Sequence, residues 1–143
     1  MINVERTFSV SRPPDVVVNY LKDFANAEQW DPGTKSCTQV TAGPVVVGTT
    51  WHNVSVVKGK ETELSYRLAT LDGGHIVFVG ENKTATSTDD ITVTPSDHGS
   101  TITYHAQIEF HGLAKLATPF LQSEFVGLGD KTAAQITELV EAL

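Results

Sequence analysis

The last thirty residues of the chain constrain its fold most, because they follow a helical pattern after a long stretch that alternates like strands. Between Ser36 and Phe110, apolar and polar residues mostly alternate. From Leu113 onwards, apolar residues recur at the spacing of one helix face. These positions are Leu113, Leu116, Ala117, Phe120, Leu121, Leu128, Ile136, Leu139, Val140 and Leu143. A single helix after a run of strands has the concave face of their sheet available, and this arrangement tends to enclose a cavity.

Turn residues divide the rest of the chain into predicted elements. Val4–Val10 alternates and predicts the first strand, and two short helices follow, one opened by the Pro13-Pro14 pair and one over Phe24–Gln29. Six further strands are predicted over residues 36–41, 47–58, 61–71, 75–80, 84–94 and 101–110. Because their connections are short, neighbouring strands should pair antiparallel. We therefore expect one α+β domain over residues 1–143, with a seven-stranded antiparallel sheet and a long C-terminal helix.

Two features interrupt the predicted long helix. Thr118 and Pro119 suit an N-cap and a first turn, so the helix would begin at Pro119 and leave Leu113–Ala117 as a separate short turn. Gly127 and Gly129 lie inside the helix, where each costs on the order of 1 kcal/mol relative to alanine. Flexing of the helix, close approach to a ligand and a kink without function remain open as explanations.

Composition excludes several classes of function. The net charge is −7, from 17 acidic and 10 basic residues, and no basic cluster is present, so we expect no nucleic-acid partner and no anionic membrane surface. The single cysteine, Cys37, cannot form an intramolecular disulfide, and we expect it to be buried. No signal peptide or membrane-spanning run is recognisable, so we expect a cytoplasmic protein without integral membrane association. The oligomeric state is open between monomer and homodimer.

The histidines do not form a metal motif. They are His52, His75, His98, His105 and His111, and no pair has the i, i+4 spacing of a helical metal site. No phosphate loop or activated-nucleophile motif accompanies them, so we expect neither metal nor cofactor. His111 lies at the corner between the last strand and the helix, where it is either a polar corner residue or a cavity residue.

Asp89 is the strongest single candidate for an acid–base residue. In the alternation of the sixth strand it shares a face with Ile91 and Val93, which predicts that it points inward. Burial would raise the pKa of such a carboxyl and suit it to act as an acid or a base. A strand phase shifted by one residue would instead bury Asp90 and expose Asp89, and a β-bulge would expose both.

Several apolar and aromatic residues are candidates for ligand contact. Trp30 is expected near the cavity mouth, and Tyr66 and Tyr104 each lie on an apolar strand face, where a hydroxyl can meet either a ligand or a buried backbone group. Core packing and ligand binding are both open for these residues. The full set of predicted ligand contacts is Trp30, Trp51, Tyr66, Phe78, Asp89, Ile91, Tyr104, Ile108, Phe120 and Leu128.

Local sequence patterns add a resemblance that covers the whole chain. They are the aromatic, tryptophan and proline in Phe24–Pro32, the glycine before a long strand in Val47–Trp51, the strand pattern Leu64–Leu68, and Gly99–Tyr104 at the start of the last strand. With the order of elements, they resemble the START-like superfamily, also called SRPBCC or the polyketide cyclase/dehydrase and lipid-transport group. This resemblance implies a helix-grip fold, with a cavity between the sheet and the final helix, but it does not imply one function.

Three functions follow as hypotheses. The first is binding of a small hydrophobic molecule, such as a lipid, polyketide or isoprenoid, by a carrier or sensor. The second is a polyketide cyclase, aromatase or dehydratase in which Asp89, Tyr66, Tyr104 or His111 moves protons. The third is a module that binds a protein partner. A carrier needs a mostly apolar cavity, an enzyme needs titratable groups within hydrogen-bond reach inside it, and a partner module would have a filled core.

Overall fold

The computed structural model describes all residues 1–143 and has the predicted order of elements. The strands are β1 (Ile2–Val10), β2 (Thr34–Gln39), β3 (Thr50–Val57), β4 (Lys60–Asp72), β5 (His75–Glu81), β6 (Ala85–Ser96) and β7 (Gly99–Phe110). The helices are α1 (Pro14–Leu21), α2 (Ala27–Trp30) and α3 (Thr118–Glu141), with 3₁₀ helices at Phe24–Asn26 and Gly112–Ala117. The α+β fold, with its seven-stranded antiparallel sheet and long C-terminal helix, is therefore confirmed.

The strands form one sheet in the order β1-β7-β6-β5-β4-β3-β2, with every pair antiparallel. β5 lies at its centre, with Ile76 and Phe78 buried on one face and Val77 and Val79 half-buried on the other. β3 begins later than the alternation predicts, because the chain turns between Val46 and Thr49, where the Thr49 amide donates to the Val46 carbonyl at 3.0 Å. The valines before this turn are consequently outside the sheet.

The break before the long helix lies where the sequence predicts it. A 3₁₀ helix ends at Ala117 and α3 starts at Thr118, one residue before Pro119. The prediction that Thr118 caps this helix is wrong, because Ala117 occupies the N-cap and no side chain caps it. α1 likewise begins at Pro14 with Pro13 as its N-cap.

The two helix glycines have different surroundings. A methyl carbon added to Gly129 would lie 2.6 Å from Val4 Cγ1, so the absent side chain lets α3 approach β1 closely. An added carbon on Gly127 would meet nothing within 4 Å. Beside this contact, Arg6 of β1 donates from Nε to Asp130 at 2.7 Å and from a guanidinium nitrogen to the Val126 carbonyl at 3.0 Å, which attaches the middle of α3 to the sheet edge.

The interior has a filled half and an open half. The filled half contains the side chains of α1, α2 and the end of α3 against the sheet, including Leu21, Phe24, Trp30, Trp51, Leu68, Ile76, Phe78, Ile91, Ile102, Ile136 and Val140. The open half lies under the 3₁₀ helix Gly112–Ala117 and the first half of α3. The candidate functional site lies where the two halves meet.

Candidate functional site

A cavity of about 600 Å³ occupies the open half, between the sheet and α3. Its apolar wall is formed by residues of β1, β3, β4, β6, β7, the second 3₁₀ helix and α3: Val4, Val57, Leu64, Ala85, Ala106, Ile108, Phe110, Ala114, Ala117, Leu121, Phe125 and Leu128. Titratable residues interrupt this wall at two places, with Asp31, Tyr66, Asp89 and Tyr104 against the filled core, and Lys58 and Lys60 on the β3–β4 hairpin. The neutral polar residues of the lining are Ser55, Thr62, Asn82, Thr84, Ser87 and Thr132. The cavity is therefore mostly apolar with a distinct polar end.

Asp89 points inward, as the strand alternation predicts. Its cross-strand partners are Phe78 and Ala106, and the residue is only 4% exposed. The next residue, Asp90, lies on the other face and its carboxylate contacts His75 Nε2 at 2.8 Å. The alternative strand phase, with Asp90 buried, is thereby ruled out.

The Asp89 carboxyl has few partners inside the protein. The Tyr104 hydroxyl donates to Asp89 Oδ2 at 3.4 Å, which is a long hydrogen bond, and no protein group bonds Oδ1. Burial, and next the charge of Asp31, raise the pKa of Asp89 to about 8, while the Tyr104 hydrogen bond lowers it. Asp89 is thus a neutral acid at pH 7 with one oxygen free to bond a ligand.

Tyr66 and Tyr104 form a wall between the cavity and the core. The Tyr66 ring lies 4.5 Å from the Phe24 ring, and the Tyr104 ring meets Trp30 edge-on at 5.8 Å. Burial and then the charge of Asp89 raise the pKa of both phenols well above the usual value, so both hydroxyls stay protonated.

Gly80 makes room for the Tyr66 ring. The two residues pair across β4 and β5, and a carbon added to Gly80 would lie 2.5 Å from the ring. Any larger residue at position 80 would therefore displace the ring.

Asp31 is a lining residue that the sequence does not single out. It follows α2 in the Trp30-Asp31-Pro32-Gly33 segment, which the pattern marks only as a helix stop. Its carboxylate accepts from the Gly33 amide at 2.9 Å and the Thr34 hydroxyl at 2.8 Å. Burial is the largest influence and raises its pKa, while these two hydrogen bonds act in the opposite direction.

The structure divides the predicted ligand contacts into two groups. Tyr66, Asp89, Tyr104, Ile108 and Leu128 line the cavity. The aromatic and aliphatic residues that instead fill the core, away from the cavity lining, are Trp30, Trp51, Phe78 and Ile91. Trp30 is fully buried rather than at the mouth, because α2 inserts it between Phe24 and Tyr104.

Two further predicted residues lie outside the lining. Phe120 is 73% exposed, because the first turn of α3 directs it to solvent, although its carbonyl lies 3.5 Å from Lys58 Nζ of the β3–β4 hairpin. His111 is half-buried at the strand-to-helix corner, where Nε2 lies 2.8 Å from the Thr86 hydroxyl. It therefore has a local polar partner at this corner.

The structure contains no cluster of metal ligands and no helix that could span a membrane. No three His, Cys, Asp or Glu side chains are grouped so that they could hold a metal ion. None of the helices combines the length and apolar character needed to cross a bilayer. Cys37 is buried, and burial raises the pKa of its thiol to about 12.

The geometry agrees with what comparison with known proteins finds. The family model described as polyketide cyclase / dehydrase and lipid transport matches residues 1–141. The chain belongs to this family. No curated protein matches it.

Solved structures share the family fold at low sequence identity. A START superfamily protein from Mycobacterium smegmatis is 12% identical, with a TM-score of 0.80 over 98% of this chain and 97% of its own. The Zhui aromatase/cyclase from Streptomyces sp. R1128 is 13% identical, with a TM-score of 0.74 over 98% and 91%. A STAR-related lipid transfer protein from Xanthomonas axonopodis is 14% identical, with a TM-score of 0.73 over 95% and 84%. At these identities the likeness establishes the fold only.

Proposed function

We propose that this protein binds a small, mainly hydrophobic molecule in the cavity between the sheet and α3, with a polar group of that molecule placed against Asp89. The observation that carries the proposal is a cavity of about 600 Å³ with apolar walls and a single buried, unpartnered carboxyl oxygen at its inner end. Its volume is typical of sites for small ligands, which bury an apolar body and fix it by a few polar contacts.

The charges around the cavity support a ligand without a negative charge at its inner end. Asp31, Asp89, Tyr66 and Tyr104 are all acidic groups, and none of them has a basic side chain as a hydrogen-bond or ion-pair partner. The basic lining residues are Lys58 and Lys60 on the β3–β4 hairpin, and Lys58 Nζ lies 3.5 Å from the Phe120 carbonyl. Arg6 is opposite Tyr104 in the sheet, but it is paired with Asp130 and does not line the cavity. A fatty-acid carboxylate at this end would therefore meet like charge and no basic partner.

An enzyme of the cyclase or dehydratase type is the second candidate. It is favoured by Asp89 and Tyr104, two titratable groups that line the same cavity within hydrogen-bond reach of each other. A partner-binding module is less well supported, because its core would be filled where this one is open.

Blocking the cavity tests the binding proposal. Ala106 lines it on β7, so Ala106→Phe would place a ring in the space that a ligand needs. Ala134, exposed on α3, gives the matched control Ala134→Phe. Titration with the neutral fluorophore N-phenyl-1-naphthylamine should show saturable binding to the wild type and the control, and binding at least about tenfold weaker to Ala106→Phe.

Native mass spectrometry of gently purified protein, followed by denaturing extraction, should also reveal any co-purified ligand and its class. Absence of saturable fluorophore binding, or equal affinity in Ala106→Phe and wild type, would contradict the proposal.

A further inference from the structure

The two carboxyls at the polar end of the cavity differ in what surrounds them. Asp31 accepts hydrogen bonds on both oxygens, from the Gly33 amide and the Thr34 hydroxyl, and such bonds favour the ionised form. Asp89 has only the long bond from Tyr104 on one oxygen and none on the other. These hydrogen bonds therefore favour the negative charge on Asp31 over Asp89, whereas burial, and next the charge of Asp31, keep the proton on Asp89.

Asp89 consequently presents its carboxyl O–H at the inner end of the cavity. The Tyr104 hydroxyl supports this carboxyl by donating to Asp89 Oδ2 at 3.4 Å, and Tyr66 lines the same cavity. Aromatic rings of Phe24, Trp30 and Phe78 lie behind them and exclude water from that side. Preorganised donors in such a dry site are suited to stabilise negative charge that develops on an oxygen atom.

Proton abstraction next to a carbonyl group requires a base for the proton and an acid or hydrogen-bond donor for the carbonyl oxygen. Building on the proposed binding function, we propose that the site enolises a ketone, with Asp31 as the base and Asp89, supported by Tyr104, as the acid at the carbonyl oxygen. The ligand class is then a mainly apolar ketone, inserted with its carbonyl group first.

The proposed step balances without a co-reactant. Asp31 removes a proton from the carbon beside the carbonyl, and the C–H electron pair becomes the C=C bond of the enol. The carbonyl π pair moves to oxygen, which takes the proton of Asp89. In the reverse reaction Asp31 returns a proton to carbon and the enol O–H returns its proton to Asp89. If the Asp31 proton first exchanges with solvent, the net outcome is exchange of the α-hydrogen; if it is returned to a different carbon, the net outcome is its transfer within the same skeleton.

Deuterium exchange into 2-tetralone, followed by mass spectrometry in D₂O, tests this step directly. We expect wild type to accelerate exchange, and Asp31→Asn and Asp89→Asn each to slow the catalysed rate at least about a hundredfold. Asp90→Asn is the matched control, since Asp90 is adjacent to Asp89 but faces away from the cavity. Its exchange rate should equal that of wild type.

The pH profile provides a readout that a merely structural role would not change. The catalysed rate should rise as Asp31 ionises and fall as Asp89 loses its proton at about pH 8. The titratable groups that influence the pKa of Asp89 are Asp31 and Tyr104. Tyr66, Lys58 and Lys60 are the other titratable residues of the lining, and α3 contributes none. Asp89→Asn should lack the falling limb.

Binding of 2-tetralone, measured on the same samples by saturation-transfer NMR, separates the two proposals. If tetralone binds but wild type exchanges it no faster than Asp31→Asn, enolisation is refuted and the binding function stands. If Asp31→Asn and Asp89→Asn both exchange as fast as wild type, the roles of the two carboxyls are refuted. If neither tetralone nor the fluorophore binds, both proposals fail.

Discussion

Replacing Asp89 by asparagine should stabilise the protein near neutral pH, and the gain should grow as the pH rises. The folded protein raises the pKa of Asp89 to about 8, whereas an aspartate in the unfolded chain titrates at about 3.9. Between these two values the folded state holds a proton that the unfolded state has released. Wild-type stability therefore falls as the pH rises from about 4 to about 8. Asparagine cannot ionise, so the variant lacks this loss.

The size of the effect follows from the pKa difference. Each pH unit in that window costs 1.36 kcal/mol, so the three units between pH 4 and pH 7 amount to about 4 kcal/mol. The full difference applies because Asp89 is only 4% exposed and has no cationic partner. The free energy of unfolding of Asp89→Asn, relative to wild type, should increase by about this amount over those three units.

Urea unfolding at pH 4, 5, 6, 7 and 8 measures the difference, provided the m-value is unchanged. Asp90→Asn again serves as control, because Asp90 lies on the other face of β6, where its carboxylate contacts His75. If the pH profiles of wild type and Asp89→Asn run parallel, to within about 1 kcal/mol, the carboxyl is not held neutral in the fold. Such a result would also remove the acid that the proposed enolisation requires.

The helix glycines and the cysteine provide further predictions. Gly127→Ala should stabilise the protein by about 1 kcal/mol in urea unfolding, because alanine is the better helix former and open space surrounds this position. Gly129→Ala should destabilise it by about 1–3 kcal/mol, because the added carbon would lie 2.6 Å from Val4 on β1; equal effects of the two variants would refute the close packing of α3. Cys37 is buried, with its thiol pKa raised to about 12, so a disulfide reagent such as Ellman's should react with it only at the rate of unfolding, and fast labelling of the native protein would contradict this burial.

A buried acid with an unfavourable environment is informative about function. Asp89 lies in a row of apolar neighbours, Phe78 and Ala106 directly opposite it, and a neutral side chain there would be the more stable choice. Groups that weaken a fold in this way are typical of sites where ligands bind or react. The same reasoning applies less to Asp31, because its two hydrogen bonds compensate part of its burial.

Periodicity was sufficient to predict the elements and several of the cavity residues. Alternation along β6 gave the inward direction of Asp89, and the Thr118-Pro119 pair located the break before α3 to within one residue. These features are local, since a strand repeats every two residues and a helix every 3.6. Tyr66 and Tyr104 could be assigned to an inner face for the same reason.

The spacing of apolar residues does not predict which inward-facing residues line the cavity and which fill the core. Trp30 and Ile91 share the apolar character of Leu128, but only Leu128 lies over the open half of the sheet. That division depends on where α1, α2 and the end of α3 pack, which is a property of the whole chain.

The sequence by itself determined the order of elements, the antiparallel sheet and the inward face of each strand, because these depend on residues a few positions apart. Only the tertiary structure decided that Asp31, the residue after α2, lines the cavity together with Asp89 and Tyr104. These residues are far apart in the chain, so no local pattern relates them. Burial and charge at that meeting point set the pKa of Asp89, and neither exists until the sheet and α3 enclose it.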